Sequence, residues 1–153
     1  MRDSILVRLA GAMLIALTLS LPAGAVDTGG NSGDNGSANV PSMSEARAEI
    51  KAKHWSDAIA TLKLIIADNS NNADAYNLLG YSYRNSGDFK RAQQAYTRAL
   101  KLDPKHTGAL EYQGVLYVML GDIDKAKANL AKIKGICGTS CEEYEDLDEA
   151  IPG

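Results

Sequence analysis

Side chains recur at intervals of 34 residues through the middle of this 153-residue chain. Gly80 matches Gly114, Tyr83 matches Tyr117, Gly87 matches Gly121, Asp88 matches Asp122 and Ala92 matches Ala126. One period earlier, Ala58 precedes Ala92 and Leu62 precedes Tyr96. A fixed period of this size marks a repeat architecture, in which one unit cannot bury its apolar face alone and must stack on the next. From Pro41 to Ile151, Ala, Leu, Lys and Glu dominate and no sustained two-residue alternation occurs, so the units are read as helical and the fold as all-α. Ser42-Met43-Ser44-Glu45 fits a capping box that would open the first helix.

The middle copy carries Tyr76-x-x-Leu79-Gly80-x-x-Tyr83, then Ala92-x-x-x-Tyr96, then Pro104. This resembles the tetratricopeptide repeat over a full unit. The third copy keeps Gly114, Tyr117, Ala126 and Leu130 but has Gln113 where the family has Leu and Gly138 where it has Pro. The first copy is degenerate in its first helix, with Ala46 at the Gly position and Glu49 at the Tyr position, while Trp55 to Ala67 fits well. The resemblance covers about residues 39–138 and implies a superhelix of about three helix–turn–helix units (about 39–72, 73–106 and 107–138) in a domain spanning 40–151. Gly80 and Gly114 are expected where the two helices of one unit cross, with Ala58, Ala92 and Ala126 opposite them. Tyr83, Tyr96, Tyr117, Leu62 and Leu130 are expected to fill the space between helices. Gly87-Asp88 and Gly121-Asp122 read as tight turns, the Gly ending one helix and the Asp capping the next. Ser140-Cys141-Glu142-Glu143 is a second capping-box candidate, and Tyr144, Leu147 and Ile151 follow at helical spacing. A C-terminal capping helix over about 141–150 is therefore predicted, with Glu142, Glu145, Asp146 and Glu149 on its outer, soluble face.

Ahead of the repeats, Arg2 and Arg8 flank a short N-terminal segment and an apolar run follows from Leu9 to Leu21. That run is shorter than the roughly 20 residues a membrane span needs. Pro22 and Ala23-Gly24-Ala25 complete the pattern of a secretory signal peptide over 1–25, whose cleavage would leave Val26 first. Residues 26–39, rich in Gly, Ser, Asn and Asp, read as a flexible linker. Asp27 and Asp34 lack the alternating ligands and closing Glu of a calcium loop. The expected location is secreted, in the periplasm, with no membrane insertion once the signal is removed.

Chemistry is sparse. A net charge of −3 and a pI of about 5.3 argue against nucleic acid as a partner. The two histidines, His54 and His106, fall in turns and read as surface loop residues with no nucleophile at a fixed offset. There is no phosphate loop, zinc spacing or haem-attachment pattern, so neither catalysis nor a cofactor is expected. What the family resemblance implies is a scaffold that binds another protein or a peptide in the concave groove lined by the first helix of each unit. By register, the groove candidates are Arg47, Ile50 and Lys51 from the first unit. The second supplies Asn77, Tyr81, Arg84 and Asn85, and the third Glu111, Val115, Val118 and Met119. Tyr81 and Arg84 are expected to grip the ligand, with Arg84→Ala weakening capture and leaving the fold intact. Val115, Val118 and Met119 either hold apolar side chains of a ligand or pack under the capping helix. Chaperone-tail-binding members of the family clamp a terminal carboxylate with Lys and Asn. Here the corresponding places hold Met43, Leu78 and Gly108, so that specificity is not implied. Cys137 and Cys141 are expected to form a disulfide in a loop before the capping helix, since export favours bridging and Gly135 and Gly138 argue against helix there. A thiol-redox or metal-handling role for the same pair is the alternative function.

Overall fold

A computed structural model describes residues 40–153. The expected signal peptide (1–25) and linker (26–39) lie outside the described residues. Seven α-helices follow in order: α1 (Met43–Lys51), α2 (Trp55–Asp68), α3 (Ala73–Asn85), α4 (Phe89–Leu102), α5 (Thr107–Met119), α6 (Ile123–Cys137) and α7 (Glu142–Ala150). Trp55, Phe89 and Ile123 open α2, α4 and α6 at intervals of 34 residues, and Ala73 and Thr107 open α3 and α5 at the same interval. The described residues thus form an all-helical superhelix of three antiparallel pairs closed by a seventh helix. Among them, no helix is long and apolar enough to cross a membrane.

Local signals set the helix starts. Ser42 Oγ accepts from the Glu45 N–H at 3.2 Å, and Asn72 Oδ1 accepts from Ala75 N–H at 3.0 Å. Asp88 Oδ1 accepts from Arg91 N–H at 3.0 Å. Each satisfies a first-turn donor that has no partner within its own helix. Asp122 does not cap α6 in this way; its carboxylate instead takes the Lys125 ammonium at 2.6 Å. Ser140 does not cap α7 either. The helix starts one residue later than a Ser140 cap requires, with Cys141 as the N-cap and no side-chain cap bond. Glu143 turns away to accept from the Thr107 hydroxyl at 2.7 Å.

The core runs along the stack in three patches. Ala46, Leu62, Ile65, Ala75, Leu79 and Ala95 join the first two units. Ala92, Tyr96 and Leu116 join the second to the third. Leu110, Ile133 and Leu147 join the third to α7, with Tyr144 and Ile151 packed against them. Ala58, Ala92 and Ala126 are fully buried, as their 34-residue recurrence predicts. Tyr83, Tyr117 and Leu130 are only partly buried, because each reaches the margin of the stack.

The two repeated glycines have different partners. A Cβ at Gly80 would lie 2.5 Å from the Tyr96 ring, on the second helix of its own unit. A Cβ at Gly114 would lie 2.5 Å from Leu147, so this glycine receives α7 and not the expected helix of its own unit. The buried pair Gln113 and Asn129 accounts for the departure from Leu at 113: Asn129 Nδ2 donates to Gln113 Oε1 and to the Leu110 carbonyl, both at 3.1 Å.

The turn inside each unit needs one left-handed residue. Gly87 (φ 86°) and Gly121 (φ 80°) supply it in units two and three, and Lys53 (φ 59°) supplies it in unit one. At the other end, α6 runs through Gly135 to Cys137, so the stretch expected to be a loop is helical, and only Gly138 (φ 86°) leaves the helix. Cys137 and Cys141 are bonded across this short α6–α7 turn, with Cα atoms 6.1 Å apart.

Two substitutions test this packing in urea melts. Gly80→Ala should lose about 1–3 kcal/mol, because the buried Tyr96 ring has nowhere to retreat. Lys53→Gly should gain about 0.5–1 kcal/mol, the relief of left-handed strain less the entropy of an added glycine.

Candidate functional site

The concave face is built from α1, α3 and α5, with α7 as its far wall. Two adjoining depressions lie on it. The first, of about 270 Å³, is lined by Arg47, Ile50, Lys51, Leu78, Tyr81 and Tyr112. The second, of about 240 Å³, shares Arg47, Leu78 and Tyr112 and continues over Asp74, Asn77, His106 and Gly108 to Glu111 and α7. The surface therefore passes from an aromatic shelf to an acidic cleft within one groove.

A chain of rings, edge-on at Trp55–Tyr81 and tilted beyond it, runs along the shelf. Trp55 and Tyr81 have centroids 6.1 Å apart, Tyr81 and Tyr112 4.9 Å, and Tyr112 and Tyr96 6.5 Å. The Arg84 guanidinium lies 5.2 Å from the Tyr81 ring centre and 6.0 Å from that of Tyr112. It also reaches Met119 Sδ at 3.8 Å, and its Nε is buried. Arg84, expected to grip a ligand, is thus stacked on the protein's own rings at the shelf. Tyr81 stays half-exposed at the shelf's edge.

Other groove candidates divide by position. Arg47, Lys51 and Asn85 are exposed, and Asn85 donates to the Tyr81 carbonyl of its own helix at 2.9 Å. Val115 packs against the patch that holds α7 and is part of the capping contact. Val118 is half-buried, and Met119 is 50% exposed beside Arg84. Asn77 and Glu111 are nearly enclosed, at 6% and 7% exposure.

Residues not anticipated from the sequence complete the cleft. Glu142 and Asp146 line it together with Glu143, so the acidic face of α7 is turned in part toward the groove and not wholly outward. The signal was present in the spacing: 142, 143 and 146 share a helical face adjacent to that of Leu147. His106 is not a loose surface residue. It is the N-cap of α5, with Nδ1 accepting from Ala109 N–H at 3.2 Å. That bond leaves Nε2 protonated, and it meets Asp74 Oδ1 at 3.0 Å.

Burial pushes the Glu111 carboxyl up to about 8, and the charges of Asp146, Glu143 and Glu142 on α7 push the same way. Arg84 on α3 opposes them. Arg47 from α1, Asp74 from α3 and His106 from the preceding turn complete the ionisable lining of this cleft. At neutral pH Glu111 therefore retains its proton in the free protein.

The sulfurs of Cys137 and Cys141 lie with a Glu143 carboxylate oxygen inside a 4.8 Å sphere of mutual distances, but both sulfurs are committed to their bridge. Among the described residues there is no free cysteine.

Comparison with known proteins agrees with the architecture. Residues 73–106 match one family model of the tetratricopeptide repeat, and residues 95–128 match a second. A DnaJ protein P58IPK homolog from Arabidopsis thaliana is 32% identical over 95 residues, covering 62% of this chain and 19% of the relative. The chain thus spans about a fifth of that curated relative's length. The Arabidopsis OM64 tetratricopeptide domain superposes with a TM-score of 0.65 at 20% identity, covering 71% of this chain and 88% of that one. The second such domain of human RPAP3, solved with an HSP70 peptide, gives 0.63 at 18% identity, covering 72% and 92%. Residues 73–128 of the chain thus carry tetratricopeptide repeats, and the described residues share the fold of tetratricopeptide domains.

Two measurements follow from the site. A carboxyl whose pKa rises from 4.5 to about 8 on folding holds its proton more tightly in the folded state. Its contribution to stability is then lost progressively as pH rises from 4.5 toward about 8, and is level beyond. Glu111→Gln should therefore melt like the parent at pH 4 and at a higher temperature than the parent above pH 8. Arg84→Ala should lower stability by about 1–2 kcal/mol in urea melts, the worth of two partly desolvated cation–π contacts.

Proposed function

We propose that this protein is a non-catalytic adaptor that holds a peptide or protein segment in its concave groove. The observation that carries the reading is the continuity of the groove. A half-exposed aromatic edge and a deep polar cleft lie side by side along the three first helices, open to solvent and roofed by nothing within residues 40–153. Among similar folds, the RPAP3 domain is bound to an HSP70 peptide, and PcrH is in complex with the chaperone binding region of PopD. Those precedents support a peptide or protein partner. Export through a cleaved signal, with the protein acting in the periplasm, belongs to the same proposal and rests on the Arg2-to-Ala25 pattern. An oxidising compartment also suits a Cys137–Cys141 bridge.

Photo-crosslinking in living cells tests the groove. A photoreactive residue at position 81 or 51 should give discrete protein adducts, and one at the exposed, convex-face position 64 should give none. Equal labelling from 64, or none from the groove, would overturn the reading. Sequencing of the mature protein should begin at Val26; material beginning at Met1 would remove the proposed location.

A further inference from the structure

The acidic cleft is more specific than a groove wall requires. Asp74 is matched by His106, and Glu143 by the Thr107 hydroxyl. Glu111, Glu142 and Asp146 form no salt bridge among the described residues. Arg47 is the one Lys or Arg among the lining residues, and it is exposed at the rim. A separate observation concerns Asn77. It lines the same cleft at 6% exposure, and its Oδ1 has no hydrogen-bond partner. A buried acceptor left without a donor is rare, because its desolvation is uncompensated. Gly108 keeps the space beside Asn77 open, since a Cβ there would come to 3.4 Å from the Asn77 amide nitrogen. The cleft thus gathers carboxyl and amide acceptors around one fixed cation, Arg47, at its rim.

We propose that this cleft seats the cationic side chain, lysine or arginine, of a basic segment bound in the groove, with Asn77, Glu111 and Asp146 as its acceptors. The inference rests on the groove-binding reading and names the chemistry of its ligand. Three features select an organic cation. An acidic segment would meet the unpaired carboxylates of Glu142 and Asp146. An apolar side chain would leave Asn77 Oδ1 still without a donor. A metal ion needs ligand atoms gathered tightly around one point. Among the described residues, the only three-ligand group within 4.8 Å of one another is Cys137, Cys141 and Glu143, at the far turn. The carboxyls of the cleft are too dispersed for an ion and suit the spread N–H donors of a guanidinium or an ammonium on its flexible stem. The neighbouring shelf of Ile50, Leu78 and Tyr81 would take an apolar residue of the same segment.

The test uses the purified full chain. A random dodecapeptide library displayed on phage is selected against it, and the enriched peptides are made with a fluorescent label for anisotropy titration. The enriched peptides should share a Lys or Arg at a fixed position, and which of the two recurs tells ammonium from guanidinium. Replacing that residue by norleucine should weaken binding at least about tenfold, the loss of a charge-assisted hydrogen bond. In the Glu111→Gln/Asp146→Asn double variant the same replacement should change affinity less than about twofold, since coupled groups lose their interaction together. Thermal melting at pH 7 checks that this variant is folded, and Glu111→Gln alone serves if it is not. Peptides that crosslink to position 81 yet share no cation would overturn the cation seat and leave the groove reading standing. Selected peptides that crosslink only to position 64, or a selection that yields no binder, would overturn both.

Discussion

Two contacts in this stack press a side chain into a position that has none. The Tyr96 ring occupies the space above Gly80, and Leu147 occupies the space above Gly114. Interior packing leaves no slack for a methyl group at either point. The first contact holds the helices of unit two together. The second holds α7 against α5, and α7 supplies Glu142 and Asp146 to the cleft. The groove's far wall therefore depends on a missing Cβ at residue 114.

Most of the fold was legible because its cause is periodic. The 34-residue recurrence located three helix pairs, and the turns at Gly87 and Gly121 and the caps at Ser42 and Asp88 followed from local chemistry. What misled was the assumption that equal positions in the repeat have equal partners. Gly114 repeats Gly80, but the last unit has α7 above it and no further pair, so its glycine receives a different helix. Gly135 suggested a break, yet packing of Ile133 into the core keeps α6 helical past it.

The site was legible in outline only. Register placed Arg47, Lys51, Asn77, Tyr81 and Glu111 on the concave face, where they line the two depressions. It could not tell which of the long side chains are already engaged. Arg84 lies against both Tyr81 and Tyr112 because Tyr112, from the next unit, brings its ring to the same spot. His106 and Asp74 lie 32 residues apart and meet only once the units are stacked. The acids of α7 read as a solvated face from their own helix, since the groove they line is made by others.

The left-handed Lys53 has a consequence for how the molecule comes apart. In a linear stack each unit is held only by its neighbours, so unfolding starts at whichever end is weaker. Unit one has the shortest first helix of the three, nine residues, and the only non-glycine turn. Fraying from that end would carry away Arg47, the single Lys or Arg of the acidic cleft, while α5 and α7 remain docked. The partly unwound protein would then present a more negative groove than the intact one, so the strained turn is also a determinant of the electrostatic field that an arriving ligand meets.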